Sequence, residues 1–235
     1  MDGWTLHWLE ASGDLSGYRA EITAAFEQSY RTVSAMLPPP RLDILIQRLA
    51  GATIPGVGIA GYAQRSTMFS MTVDPDEPNF ADSLRDGALN RQIIHEVHHC
   101  LRMAGPGYGH TLGEALVTEG LAGQFVRRLM GTPPEPWECA VTPEVLQAAL
   151  PSADELGSMN YDHDVWFFGT AREPCRFGYT LGYQIAGRWL DKAGEVDAAT
   201  WVNVPAAAVL ALGMGQRAQD WESCGPAANA QAAMP

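Results

Sequence analysis

The apolar positions change period once along the chain. Trp4 to Leu9 reads as a short strand. Ser12-Gly13-Asp14 then signals a turn and a helix start, and Tyr18, Ile22, Phe26 and Val33 follow at roughly helical spacing. The proline triplet 38–40 ends that helix, because proline removes an amide donor and crowds the preceding turn. Leu42 to Ile46 is a short apolar run of the kind found in buried strands. Gly51, Gly56, Gly58 and Gly61 with Pro55 suggest a loop that lets backbone approach a ligand. In 67–73, Thr67, Phe69, Met71 and Val73 alternate onto one face of a further strand, closed by Asp74-Pro75-Asp76.

From residue 83 the period becomes helical. One helix is predicted from Ser83 to Met103, stopped by Gly105-Pro106-Gly107, and a second from Thr111 to Met130, stopped by Gly131 and two prolines. Shorter helices are expected from Thr142-Pro143 and over about 175–192 and 197–212, and 222–235 is expected to be a flexible tail. A small sheet first and helices after is an α+β pattern. The predicted organisation is a single catalytic domain over 1–221, with a sheet-containing lobe at 1–80 and a helical metal-binding lobe at 81–221.

Composition narrows the function classes. The chain has 235 residues, 46% of them hydrophobic, and a formal net charge of −12. That length and balance suffice for a self-supporting core. Scattered basic residues on an acidic chain disfavour nucleic acid, since phosphate contacts need clustered Lys and Arg, and they disfavour anionic membranes as well. No basic and apolar leader opens the sequence, and the longest nearly apolar run, Pro205 to Gly215, is about half of the ~20 residues a membrane span needs. The expectation is a soluble, cytoplasmic protein. Its four widely spaced cysteines (Cys100, Cys139, Cys175, Cys224) are then expected to be inert thiols.

Residues 95–99, His95-Glu96-Val97-His98-His99, satisfy H-E-x-x-H. On a helix, side chains four apart lie one turn apart, so His95 and His99 are spaced to meet one ion. Leu89, Ile93, Ile94, Val97 and Leu101 form the apolar stripe of that helix, while Arg91, Gln92, His95, His99 and Arg102 line another side. The alternative reading is two surface histidines on an amphipathic helix. In the next helix, Thr111 and Glu114 have capping-box spacing, which accounts for Glu114. Glu119 has no such account, because it sits among Leu112, Ala115, Leu116, Ala122, Gly123 and Val126, where a lone carboxylate costs several kcal/mol. Zinc held by His95, His99 and Glu119, one ion per chain with an open position, supplies the missing charge. The alternatives are a Glu119 pair with Arg91 or Arg102, and Glu114 as ligand.

Glu119 stands twenty residues beyond His99, and Thr118-Glu119-Gly120-Leu121-Ala122 is similar to the Asn-Glu-Gly-Phe-Ala element of one branch of the gluzincin metallopeptidases. It departs from the thermolysin branch, which has Asp where Gly123 stands. Ile93 to Phe125, with Gly178 to Tyr183 downstream, resembles a bacterial family of uncharacterised, predicted Zn-dependent proteases. The resemblance implies a zincin-like fold, with a small mixed sheet and helix before the metal-binding helix pair and a helical C-terminal lobe. It also implies peptide hydrolysis by a zinc-activated water, with Glu96 as general base. By the same resemblance Tyr179 is the candidate for oxyanion stabilisation, with Tyr183 and His163 as competitors. His98 is expected to be structural and His110 a loop residue, and Arg172 or Arg176 is placed to grip a substrate carboxylate. The strand 67–73 is expected to offer a free edge to extended substrate, with the 56–61 loop as a flap. The partner expected is a peptide or unfolded protein segment. A zinc hydrolase of another amide, or a non-catalytic metal and peptide-binding module, stays open beside it.

Overall fold

A computed structural model describes residues 1–169, 174–215 and 217–222. Arg172, Cys224 and residues 223–235 of the expected tail lie outside them. The chain divides into two compact units, Met1–Gly105 and a second that begins at Pro106. Taken together, the elements are α+β: a small mixed sheet and about ten helices among the described residues.

In the first unit the order is β1 (Trp4–Leu9), α1 (Arg19–Ser34), β2 (Leu42–Arg48), β3 (Ile59–Arg65), β4 (Met68–Val73), α2 (Phe80–Ser83) and α3 (Ala88–Ala104). The sheet runs β1-β2-β4-β3. β1, β2 and β4 are parallel, since α1 and the 49–67 segment, which includes β3, supply the long connections that parallel neighbours require, and β3 pairs antiparallel with β4. Register places Ile44 beside Phe69 and Ile46 beside Met71. These four are fully buried and share the core with Ile22, Phe26 and Val33 of α1. Each such side chain contributes about 1.5–3 kcal/mol by leaving water. The Phe26 and Phe69 rings lie 6.2 Å apart.

α3 packs on α1, β3 and β4. Its buried stripe is Leu89, Ile93, Ile94 and Val97. A polar anchor adds direction, as Asn90 Nδ2 donates to the Ala25 carbonyl at 2.9 Å and to Ser29 Oγ at 3.1 Å.

Three expectations change here. The helix foreseen from Ser83 is two helices: Gly87, at φ 86°, turns the chain between them, and the Asp86 carboxylate accepts from the Ala88 amide at the start of α3. The segment 67–73 is a strand but has no free edge, because β2 and β3 pair with its two sides. The edge strands are β1 and β3, and β3 begins within the segment expected to be a glycine loop.

The second unit holds α4 (Leu112–Met130), α5 (Pro143–Ala148), α6 (Ala153–Leu156), α7 (His163–Phe168), α8 (Phe177–Ala193), α9 (Ala198–Asn203) and α10 (Ala206–Gly213). Its core gathers Leu112, Leu116 and Leu121 of α4, Phe167 of α7, and Phe177, Leu181, Ile185 and Trp189 of α8. α4 and α8 approach closely because glycines face each other at Gly120 and Gly182. The helix expected over 197–212 is divided at Val204-Pro205 into α9 and α10, since proline cannot continue the helix before it. No described helix is long and apolar enough to cross a membrane.

Cys100 and Cys175 are free thiols, as expected, but Cys139 is disulfide-bonded. Such bonds persist in oxidising surroundings. The cytoplasmic expectation therefore loses the part of its support that came from reduced cysteines.

Candidate metal centre

α3 presents His95 and His99 from successive turns, their ring centroids 4.6 Å apart and nearly perpendicular. His99 is buried and His95 half-buried, so the face carrying them is polar in type yet largely withdrawn from water. His98 points to the interior and is fully buried, in keeping with a structural role. Cys100 is buried too, and burial, followed by the Glu96 charge, pushes its thiol up to about 12, so it stays protonated at neutral pH. At the last turn of α3, where a positive charge complements the helix dipole, burial pushes Arg102 down to about 10.

Between the two histidines Glu96 is only 5% exposed. It lies against the backbone of β3 at Gly61, where a Cβ would come within 2.6 Å of Glu96 Oε1 and closer still to its Cγ. A glycine in a strand interior gives up stability, and here it opens the space in which the carboxylate sits. Gly61→Ala is expected to displace Glu96 by a fraction of an ångström to one ångström. Misplacement on that scale costs about 10²-fold in turnover. Zinc content should be unchanged, which metal analysis beside a kcat measurement checks; full activity in Gly61→Ala removes any role for this seat.

α4 carries Glu119. The helix opens on the foreseen capping box, with the Glu114 amide donating to Thr111 Oγ1 and the Thr111 amide donating to Glu114 Oε2. A further amide bond from His110, an exposed loop residue, reaches Glu114 as well, and these amides hold its carboxyl below the usual range. Glu114 is thus occupied as a cap. Gly131 ends the helix at φ 65°.

Glu119 is 8% exposed, and its Oε1 accepts from the Tyr108 hydroxyl at 2.5 Å. Thr118 Oγ1 donates to the Tyr108 carbonyl at 2.8 Å. Tyr108 is held between Gly107 and Gly109, whose φ values of 93° and 108° suit residues without a Cβ. Burial, then the Glu119 charge, pushes the Tyr108 phenol well above its usual value, so it stays a donor. Reading by residue type missed Tyr108. The one signal was a tyrosine inside Gly-Pro-Gly-Tyr-Gly, which marks a tight turn and says nothing of the ring's direction.

Gly123 leaves room for Glu138, whose carboxylate occupies the space of a side chain at 123.

Of the oxyanion candidates, Tyr183 is a buried residue of α8. Burial and then Glu138 push its phenol up to about 12, with Arg127 pulling it the other way. His163 stacks on Phe167 at 4.3 Å, after Asp162 caps α7. Tyr179 is half-buried on α8, meets Phe167 edge-on at 5.0 Å, and acts electrostatically on Tyr108. Arg176, at a φ of 67°, holds its guanidinium over Phe168 and Tyr179.

Imidazole nitrogens at helical i, i+4 spacing and a buried carboxylate are the donor types that zinc takes, and Glu96 is an acid group beside them and in excess of them. No curated protein matches the chain. A family model does match, from within α1 to within α10. On residues 22–211 the chain belongs to the family described as predicted Zn-dependent protease (DUF2268).

Proposed function

We propose that the protein is a zinc-dependent peptidase of the gluzincin type, its ligands His95, His99 and Glu119, with one zinc per chain and a zincin-like catalytic fold. The observation that carries this reading is Glu96: a buried carboxylate one residue from the first histidine, seated on the backbone of an edge strand. A site that only bound metal would have no use for it. Among the described residues, His95, His99 and Glu119 are the grouped histidine, cysteine and acidic side chains able to hold an ion, each offering one ligand atom.

Zinc, when bound, brings the pKa of its water to about 7 and polarises the scissile carbonyl. Glu96 takes the proton of the attacking water and delivers it to the departing amine. Tyr179 donates its hydroxyl to the oxygen on which negative charge develops. β3 is an edge strand, and backbone pairing along its outer side takes an extended substrate whatever its side chains. The substrate class that follows is a peptide or an unfolded protein segment, with neither nucleic acid nor membrane as partner.

Cleavage of a peptide library by the purified protein tests this. Products are expected with about one zinc per chain, are lost on chelation and return when zinc is restored; His95→Ala is expected to lose the metal. Undiminished cleavage in chelator, or full zinc content in His95→Ala, overturns the reading.

A further inference from the structure

We propose that Tyr108 is a positioning residue for the metal centre, which holds the carboxylate of Glu119 in one orientation. The inference rests on Glu119 being a ligand, as above. A glutamate side chain has three rotatable bonds, and its carboxylate takes several orientations unless something fixes it. The Tyr108 hydroxyl does so by donating to Glu119 Oε1 at 2.5 Å.

The tyrosine is itself held at both ends. Its carbonyl accepts from Thr118, the residue immediately before Glu119, and Thr118 is fully buried. Its ring packs on the core that α4 and α8 share. The two flanking glycines let the loop turn sharply enough to bring residue 108 back over the second turn of α4. Loop and ligand are therefore tied through adjacent residues of one helix, Thr118 holding the backbone of Tyr108 and Glu119 receiving its hydroxyl. A charge-assisted bond of this kind is stronger than a neutral one, and a ligand's outer partner fixes both its orientation and its basicity.

Tyr108→Phe removes the hydroxyl and keeps the packed ring. With zinc affinity measured by competition against a chromophoric chelator, the expected loss is about 10–100-fold. The thermal melt of the zinc-free protein should stay near that of wild type. In a Glu119→Ala background the same change should have no further effect, since Tyr108 acts through that carboxylate. Thr118→Val, which alters neither the hydroxyl nor the carboxylate, should give a smaller loss of the same sign. Unchanged affinity in Tyr108→Phe, while Glu119→Ala still loses zinc, overturns the positioning role alone. An effect of Tyr108→Phe that persists without Glu119 overturns it too, by showing direct action on the metal. Normal affinity in Glu119→Ala overturns the ligand set, and with it the inference.

Discussion

Glu96→Gln is expected to keep its zinc and lose about 10²–10⁴-fold in turnover, the range that a positioned general base contributes. The substitution changes one thing. Glutamine has the shape of glutamate, so the seat against Gly61 and the packing within α3 are preserved. The amide accepts no proton at any working pH, so the water is left without a base and the departing amine without an acid. Metal analysis and cleavage rate, measured on the same preparation, separate this outcome from a folding defect. If Glu96→Gln cleaves as fast as wild type, the water is activated by another group and the assignment is wrong. Loss of zinc in the variant is a different failure, because it makes Glu96 part of the metal's support. Gly61→Ala probes the same carboxylate from the strand side. Agreement of the two variants, with zinc retained and turnover lost, separates position from basicity: the first removes the proton acceptor, and the second moves it.

The parts of the site that sequence pattern revealed are those in which a residue's neighbours on its own element account for it. His95, Glu96 and His99 share one helix, so a 3.6-residue period suffices to relate them. Glu114 was explained by Thr111 three residues earlier, and the structure has that capping box. Glu119 stood out because no neighbour on its helix explained a carboxylate. What stayed hidden depends on other elements. β3 buries Ile59 and Ala63, but the position between them on that face is Gly61, which yields its space to Glu96, so the apolar alternation is weak. Tyr108 lies in a loop whose course is set by two glycines at positive φ, which periodicity does not address. The break at Gly87 is a single residue in the left-handed region inside a pattern that otherwise continues as helix. Cys139 is disulfide-bonded, and cysteine spacing alone does not reveal such a state.

Gly120→Ala is expected to cost the second unit about 3 kcal/mol in overpacking, the upper end of the range for a core, before helix propensity is counted. A Cβ at residue 120 would collide with the Gly182 carbonyl oxygen and stand 3.0 Å from the Tyr183 amide nitrogen. Those are backbone atoms, so no side chain can turn aside to admit the methyl. α4 and α8 must separate, and the contact they share is central to the core of this unit, where Leu116 and Leu121 meet Leu181 and Ile185. Helix propensity pulls the other way, since alanine exceeds glycine by up to about 1 kcal/mol in a helix interior, and the net loss is still about 2 kcal/mol. On a domain of this size that lowers the melting temperature by roughly 4–8 °C. Gly17→Ala serves as the control: no atom lies within 4 Å of the added Cβ, and its stability should stay within about 0.5 kcal/mol of wild type. Should Gly120→Ala melt with the wild-type protein, the helices are not in contact at that point. Because Glu119 is the adjacent residue, the same separation would move the carboxylate, so Gly120→Ala should weaken zinc binding even where it folds. A variant that melted lower with zinc affinity intact would show that Tyr108 and Thr118 hold Glu119 in place independently of the α4 and α8 contact.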